Sequence, residues 1–157
     1  MRARIAGALA RLGAAAGDLA ICGGACGGDL LFAEAALARG TALELYLPFE
    51  RVEFMAASVD FAGADWHDRF LAAARAATVH VMPRERPALT PGQDPYAQAN
   101  LWMIEAATRF GPGRVEFVCL WDGQGGDGPG GTAHMIATLE RRAAHVHRLD
   151  ASVLAAA

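Results

Sequence analysis

Short apolar runs alternate with helix-like segments along most of the chain, and this alternation limits the possible folds more than any other feature. Five runs have the length and composition of buried strands, and they span residues 18–22, 42–47, 78–82, 114–121 and 145–150. Helices are predicted at 2–12, 29–39, 50–57, 65–77, 96–110 and 132–144, with a proline-containing loop at 83–95. Because neighbouring parallel strands require crossover connections, we expect an α/β fold. The specific expectation is a Rossmann-like three-layer sandwich with a mainly parallel sheet of about five strands.

Length and composition narrow the class of protein. The 157 residues suit one domain covering 1–157, with 14 basic and 17 acidic side chains and a net charge of −3. All the basic residues are arginine, so a Walker-A lysine and a lysine Schiff base are both excluded. The mild acidity argues against a nucleic-acid partner. Three scattered cysteines predict reduced thiols and a cytoplasmic location, and no apolar run is long enough to predict a membrane span.

Two glycine clusters, at 23–28 and 123–131, each lie between a predicted strand and a predicted helix. In a doubly wound sheet both clusters would leave the carboxyl ends of strands, where ligands bind. Glycine allows close approach to the backbone, and the following helix presents free N–H groups to an anion. A tight connection is the alternative explanation for either cluster alone. The first cluster lacks the G-x-G-x-x-G pattern of redox dinucleotide sites, so we expect a phosphate-bearing ligand and no cofactor.

The two clusters also resemble a known group of proteins. The segment 23–29, Gly-Gly-Ala-Cys-Gly-Gly-Asp, is similar to the first glycine motif of the SLOG superfamily, and 128–132, Gly-Pro-Gly-Gly-Thr, is similar to its second. That superfamily includes the Lonely Guy (lysine-decarboxylase-like) phosphoribohydrolases and the DNA-processing protein A family. The run 120–132 resembles a subgroup found in multidomain bacterial signalling proteins. The resemblance implies a Rossmann-like domain that binds a nucleotide or a nucleotide-derived molecule.

The glycine loops and the residues beside them give the expected binding residues. Trp121 would stack on a base or cap the core, and Asp122 would hold a ribose hydroxyl or simply favour a turn. His145 and His147 share one face of a strand, but two ligands are too few for zinc, so no metal site is expected. The complete predicted set is Gly23, Gly24, Ala25, Gly27, Gly28, Asp29, Trp121, Asp122, Gly128, Gly130, Gly131 and Thr132.

The leading hypothesis is a sensor domain that binds a nucleotide-like small molecule. The alternative is a phosphoribohydrolase that cleaves the N-glycosidic bond of a nucleoside 5′-monophosphate, and whether the chain is an enzyme stays open. The catalytic acid and arginine of the Lonely Guy enzymes have no matching residues here, because Glu140 lies roughly two helical turns into its helix and Arg109 lies at the end of its own. No catalytic residue is therefore assigned. A single-stranded DNA binder is the least favoured reading, given the absence of a basic groove.

Relatives in this superfamily begin with a strand, whereas this sequence begins with the predicted helix at 2–12. Either its start is misplaced or the first, central strand is missing. A missing central strand would leave sheet edges without partners, and unpartnered edges favour pairing with another chain. A homodimer is therefore an expectation of the sequence.

Overall fold

The computed structural model describes residues 1–121 and 131–150, which form an α/β arrangement of five strands and seven helices. The strands are β1 (Leu19–Cys22), β2 (Ala42–Leu47), β3 (Thr78–Val81), β4 (Glu116–Trp121) and β5 (His145–Asp150). The helices are α1 (Arg2–Arg11), α2 (Gly28–Leu37), α3 (Arg51–Ser58), α4 (Ala64–Ala76), α5 (Met82–Glu85), α6 (Pro95–Thr108) and α7 (Thr132–Arg141), and short 3-10 turns lie at Asp60–Ala62 and Pro112–Arg114. The five predicted strands and the alternation are confirmed.

Helix α5 is an element that the sequence analysis assigned to the end of a strand and to a loop. Pro83 stands in its first turn, where the fixed φ of proline favours a helix. The Glu85 carboxylate then reaches back and accepts a hydrogen bond of 3.0 Å from the Val81 amide. This contact satisfies the amide of the N-cap residue, so the helix starts immediately after β3.

The strands form two parallel sheets instead of one. One sheet has the order β1-β2-β3, with Leu19 opposite Ala42 and Glu44 opposite Thr78. The other pairs β4 with β5. Within the described residues β1 pairs only with β2, and β4 pairs only with β5. The prediction of parallel strands is confirmed, whereas a single continuous sheet is not observed, because no described strand supplies hydrogen bonds between β1 and β4.

Helices cover both faces of the three-stranded sheet. Side chains alternate along a strand, so Leu43, Leu45 and Leu47 of β2 all enter the same buried core. That core also contains Leu30 of α2 and Phe70 of α4. On the opposite face Tyr46 packs with Trp102 and Ala106 of α6 and with Met82 of α5. The central strand β2 is therefore enclosed from both sides.

The two-stranded sheet is joined to the rest of the molecule through side chains. Val118, Leu120 and Leu149 pack against the main core, and a smaller cluster on the other face joins Phe117 of β4 to Ile104 of α6 and Leu139 of α7. Helix α6 thus contributes Trp102 to the first sheet and Ile104 to the second. At the carboxyl ends, the Leu120 side chain lies 3.1 Å from the Cβ position of Gly28, at the start of α2.

Across the described part of the chain, each helix is too short or too polar to cross a lipid bilayer.

Candidate functional site

The first glycine loop connects the carboxyl end of β1 to α2. Gly24 and Gly27 have φ values of 81° and 90°, which disfavour any residue with a side chain. Gly27 is the N-cap of α2. The Cys26 amide donates a hydrogen bond of 2.9 Å to the Ser58 carbonyl at the end of α3, which anchors the middle of the loop. The predicted residues from Gly23 to Asp29 are therefore gathered at one strand end, as expected from the sequence.

The side chain of Asp29 turns back over this loop. Its Oδ2 atom accepts a hydrogen bond of 3.3 Å from the Ala25 amide. A Cβ added at Gly23 would lie only 2.8 Å from the same oxygen, so the loop closes on the carboxylate with no room for a side chain at this point. The sequence predicts that the N–H groups of this loop bind an external anion. One of them, the Ala25 amide, instead donates to the Asp29 carboxylate.

Burial raises the pKa of Asp29 above its ordinary value, and hydrogen bonds from the amides of Ala25, Gly23 and Gly24 oppose that shift without cancelling it. A carboxyl with a raised pKa is a recurrent property of binding and catalytic sites, although structural networks produce it as well. Asp29 is the acidic residue of the segment 23–29. Its position at the start of α2 places it where the positive end of the helix dipole stabilises negative charge.

A pocket of about 60 Å³ opens beside this loop. It lies between the carboxyl ends of β1 and β2 and the first half of α6, which is the edge where ligands bind in open α/β sheets. The lining residues are Gly23, Ala25, Asp29, Tyr46, Pro48, Phe54, Tyr96, Ala99, Asn100 and Met103. The pocket therefore combines one carboxylate, one amide and several aromatic surfaces.

Helix α6 supplies one wall of the pocket. Asp94 caps this helix by accepting a 2.7 Å hydrogen bond from the Ala97 amide, which fixes the turn that carries Tyr96. The Tyr96 hydroxyl lies 2.8 Å from Ser58 Oγ, and its ring packs edge-on to Phe49 at 5.3 Å. The wall is therefore positioned by contacts to the segment that follows β2 and to the end of α3.

Tyr46 forms the floor of the pocket and belongs to a polar cluster beneath it. Its hydroxyl donates a 2.7 Å hydrogen bond to Glu44, which also receives Arg109 at 3.0 Å. Burial first, and then the Glu44 carboxylate, raise the pKa of Tyr46 to about 12. The Tyr46 ring stacks on His80 with centroids 4.5 Å apart, and His80 bonds Glu85 at 2.8 Å. The Tyr46 hydroxyl therefore stays protonated at neutral pH.

Sequence reasoning found part of this pocket and missed the rest. Of the predicted binding residues, Gly23, Ala25 and Asp29 line it. Gly24 instead faces the core, since a Cβ there would meet Phe70 at 3.4 Å, and the Cβ position of Gly27 has open space around it. The aromatic residues Tyr46, Phe54 and Tyr96 were not predicted. The only available signal was the end of β2 at Leu47–Pro48, since the carboxyl ends of adjacent parallel strands converge.

The second glycine loop is described only at its end. Gly131 is the N-cap of α7 and Thr132 its first residue, and no side chain from the described residues caps this helix. Trp121 ends β4 with its ring 5.9 Å from the Arg148 guanidinium carbon, and it is not among the residues that line the pocket. The predicted residues Asp122, Gly128 and Gly130 lie outside the described residues.

Other polar residues that are candidates for chemistry have structural partners. His145 and His147 of β5 each bond one oxygen of Glu116 on β4, with His145 Nδ1 at 2.8 Å. Among the described residues, no group of three or more His, Cys, Asp or Glu side chains is arranged to hold a metal ion. Glu34 accepts hydrogen bonds from Nε and Nη2 of Arg69 at 2.6 and 2.8 Å, and this pair joins α2 to α4. Glu34 is not among the residues that line the pocket.

The thiols beside the loop are poor nucleophiles. Cys22, Cys26 and Cys119 are free cysteines. Burial raises the pKa of Cys22 and of Cys26, and the nearby Asp29 charge adds to both shifts. A thiol with a raised pKa carries little thiolate at neutral pH, so thiol chemistry at this site is disfavoured.

Comparisons of the chain with protein-family models, with curated proteins and with solved structures gave no match, so its own geometry carries the functional argument.

Proposed function

We propose that this chain is a SLOG-type sensor domain that binds a nucleotide or a nucleotide-derived molecule at the pocket beside Asp29. The observation that carries the proposal is the pocket itself, which joins a glycine loop, a carboxylate and aromatic walls at the carboxyl ends of β1 and β2. Aromatic and apolar surfaces suit the flat faces of a sugar and a base, and Asp29 and Asn100 suit their hydroxyl and amine groups.

The proposal extends to the fold. The five strands would form one layer of a three-layer sandwich, interrupted between β1 and β4. Two contacts support this arrangement: α6 packs on both sheets through Trp102 and Ile104, and Leu120 near the end of β4 lies 3.1 Å from the Cβ position of Gly28 at the start of α2. Each interrupted strand has an edge without a described partner, and such edges favour pairing with another strand. This supports the expectation of a homodimer.

The phosphate would lie at the second loop, near the N-terminus of α7. A helix N-terminus offers N–H groups and a positive dipole end, which Gly131 and Thr132 would present to the ligand. The first loop is less suited to this task, because the Asp29 carboxylate already accepts the Ala25 amide. The two loops would therefore bind opposite ends of the ligand, with the charged end at α7 and the uncharged end at Asp29.

Isothermal titration with AMP, ADP-ribose and a cyclic nucleotide tests the proposal. Gly23→Ala should weaken binding at least tenfold, because the new methyl group would lie 2.8 Å from Asp29 Oδ2 and displace the pocket carboxylate. Gly113→Ala is the matched control, since its Cβ would have no neighbour within 4 Å, and it should leave affinity unchanged. The absence of heat for every nucleotide at millimolar concentration would contradict the proposal.

A phosphoribohydrolase is the second candidate, and the raised pKa of Asp29 is the observation that favours it. In that reaction water adds to C1′ of the ribose, the bond from C1′ to the base breaks, and the base leaves with a proton from the protonated carboxyl group, which the water then restores. Incubation with AMP followed by chromatography for free adenine decides between the two. Binding without adenine release removes the enzyme hypothesis.

A further inference from the structure

The pocket beside Asp29 has a charge pattern unlike that of a phosphate site. Among its described lining residues, Asp29 is the only acidic residue, and none is Arg, Lys or His. Two arginines of the surrounding elements are paired with carboxylates, Arg109 with Glu44 and Arg84 with Glu50. An anion placed in this pocket would face a like charge without a cation to offset it, and such an arrangement is costly in a partly buried space.

The hydrogen bonds made by the loop amides also disfavour an anion in this pocket. The Ala25 amide donates to Asp29, and the Cys26 amide donates to the Ser58 carbonyl. These two N–H groups are the centre of the segment that would otherwise cradle an anion. The lack of space at Gly23 holds the carboxylate against the loop, because its Oδ2 atom lies 2.8 Å from the Cβ position there. The loop therefore binds its own carboxylate and leaves it facing the pocket as a hydrogen-bond acceptor.

We infer that this pocket selects a neutral group that donates hydrogen bonds, specifically the hydroxyl pair of a ribose-like sugar, and rejects phosphate. The carboxylate accepts from the hydroxyl groups, and the Asn100 amide provides a further polar contact on the opposite wall. The rings of Phe54 and Tyr96 contact the apolar C–H surface of the sugar. The inference rests on the proposed function, since it assigns one end of the same ligand to this pocket.

Titration of the ¹⁵N-labelled chain with D-ribose and, separately, with inorganic phosphate tests the inference without any nucleotide. Ribose should shift the amide resonances of Gly23 and Ala25, and phosphate should leave them in place while it shifts that of Thr132. Phosphate shifts at Gly23 and Ala25 would overturn the inference, and so would the absence of any ribose shift there. A failure of every nucleotide to bind overturns the proposed function and leaves this readout intact, so the two failures are distinguishable.

Asp29→Asn provides the second arm. It removes the charge with little change in shape, so the ribose affinity should fall at least tenfold, as expected for loss of a charged acceptor. The substitution also removes the repulsion between the Asp29 carboxylate and the phosphate of AMP. AMP affinity should therefore fall less than ribose affinity. Asp68→Asn on the exposed face of α4 is the matched control and should change neither affinity. Equal ribose binding by the wild type and Asp29→Asn would overturn the assignment of Asp29, and the wild-type titration decides the question if the variant fails to fold.

Discussion

The three-stranded sheet and the two-stranded sheet use the same parallel pairing, yet they differ sharply in burial. In β2 the side chains of Leu45 and Leu47 are 0% exposed, because this strand has a neighbour on each side and helices on both faces. In β4 and β5 only Cys119 is buried. Side chains project from the faces of a sheet, so the exposure of β4 and β5 means that their faces are less completely covered than those of β2. Because few buried apolar contacts go with low local stability, we expect the two-stranded half to open before the three-stranded half.

The largest expected effect is in the core of the three-stranded half. Phe70 is 0% exposed and its ring lies 5.8 Å from that of Phe54. Phe70→Ala should lower the free energy of unfolding by about 3–5 kcal/mol, because it leaves a cavity in a packed core. Urea denaturation measures the loss. Phe61→Ala, at a side chain that is 73% exposed, is the control and should change stability by less than about 0.5 kcal/mol. Similar losses for both would remove the distinction on which the comparison depends.

A smaller effect is expected in the two-stranded half. Leu139 of α7 is 2% exposed and packs with Ile104 on the sheet formed by β4 and β5. Leu139→Ala should cost about 2 kcal/mol, the low end for such a substitution, because the surrounding cluster is small. Hydrogen exchange should show faster exchange of the β4 and β5 amides with little change in β2. Equal acceleration in β2 would mean that the two sheets open together as one unit.

The ion pair between Glu34 of α2 and Arg69 of α4 should make the stability of the three-stranded half depend on pH. The Arg69 hydrogen bonds lower the pKa of Glu34 against the opposing effect of burial, so the stabilisation is present above the ordinary carboxyl pKa and is lost as pH falls through the lowered value. Glu34→Gln should cost about 1–2 kcal/mol at pH 7 and much less in acid. Thermal unfolding from pH 3 to pH 7 measures both. Asp65→Asn, an exposed partner of the same arginine, should have a smaller effect.

The smallest effect is expected at the cross-strand cluster on β4 and β5. Burial raises the pKa of Glu116, but hydrogen bonds from His145 and His147 outweigh it and leave the pKa below its ordinary value. The contribution is therefore lost as pH falls through that lowered value. Because these side chains are exposed, Glu116→Gln should cost only about 0.2–1 kcal/mol. Urea denaturation at pH 7 measures it, and a loss as large as that of Glu34→Gln would contradict the ranking of the two halves.

Much of the fold was accessible from the sequence. The five strands were predicted because each is a compact apolar run that ends at glycine, proline or a charged turn, as β1 does at Gly23 and β2 does at Pro48. Helix α5 was missed because its start depends on the Glu85 side chain reaching the Val81 amide, a contact that composition does not reveal. The division into two sheets was missed as well, because strand pairing depends on which edges meet in space.

The candidate site was likewise predicted in part from the sequence. The glycine pattern located Gly23, Ala25 and Asp29, because glycines between a strand and a helix mark a place where the backbone is approached closely. It did not reveal that the Asp29 side chain accepts a hydrogen bond from the preceding loop. The walls formed by Phe54 and Tyr96 come from helices distant in the chain, and no local pattern connects them to the loop.

The sequence by itself determined the alternation of strands and helices, the parallel pairing and the place of the first glycine loop, because these depend on local propensity and on the spacing of apolar residues. Only the tertiary structure decided that the strands form two sheets, that the loop amides bind Asp29, and that α6 closes the pocket. Those features depend on contacts between residues far apart in the chain, whose geometry is set by packing of the whole core.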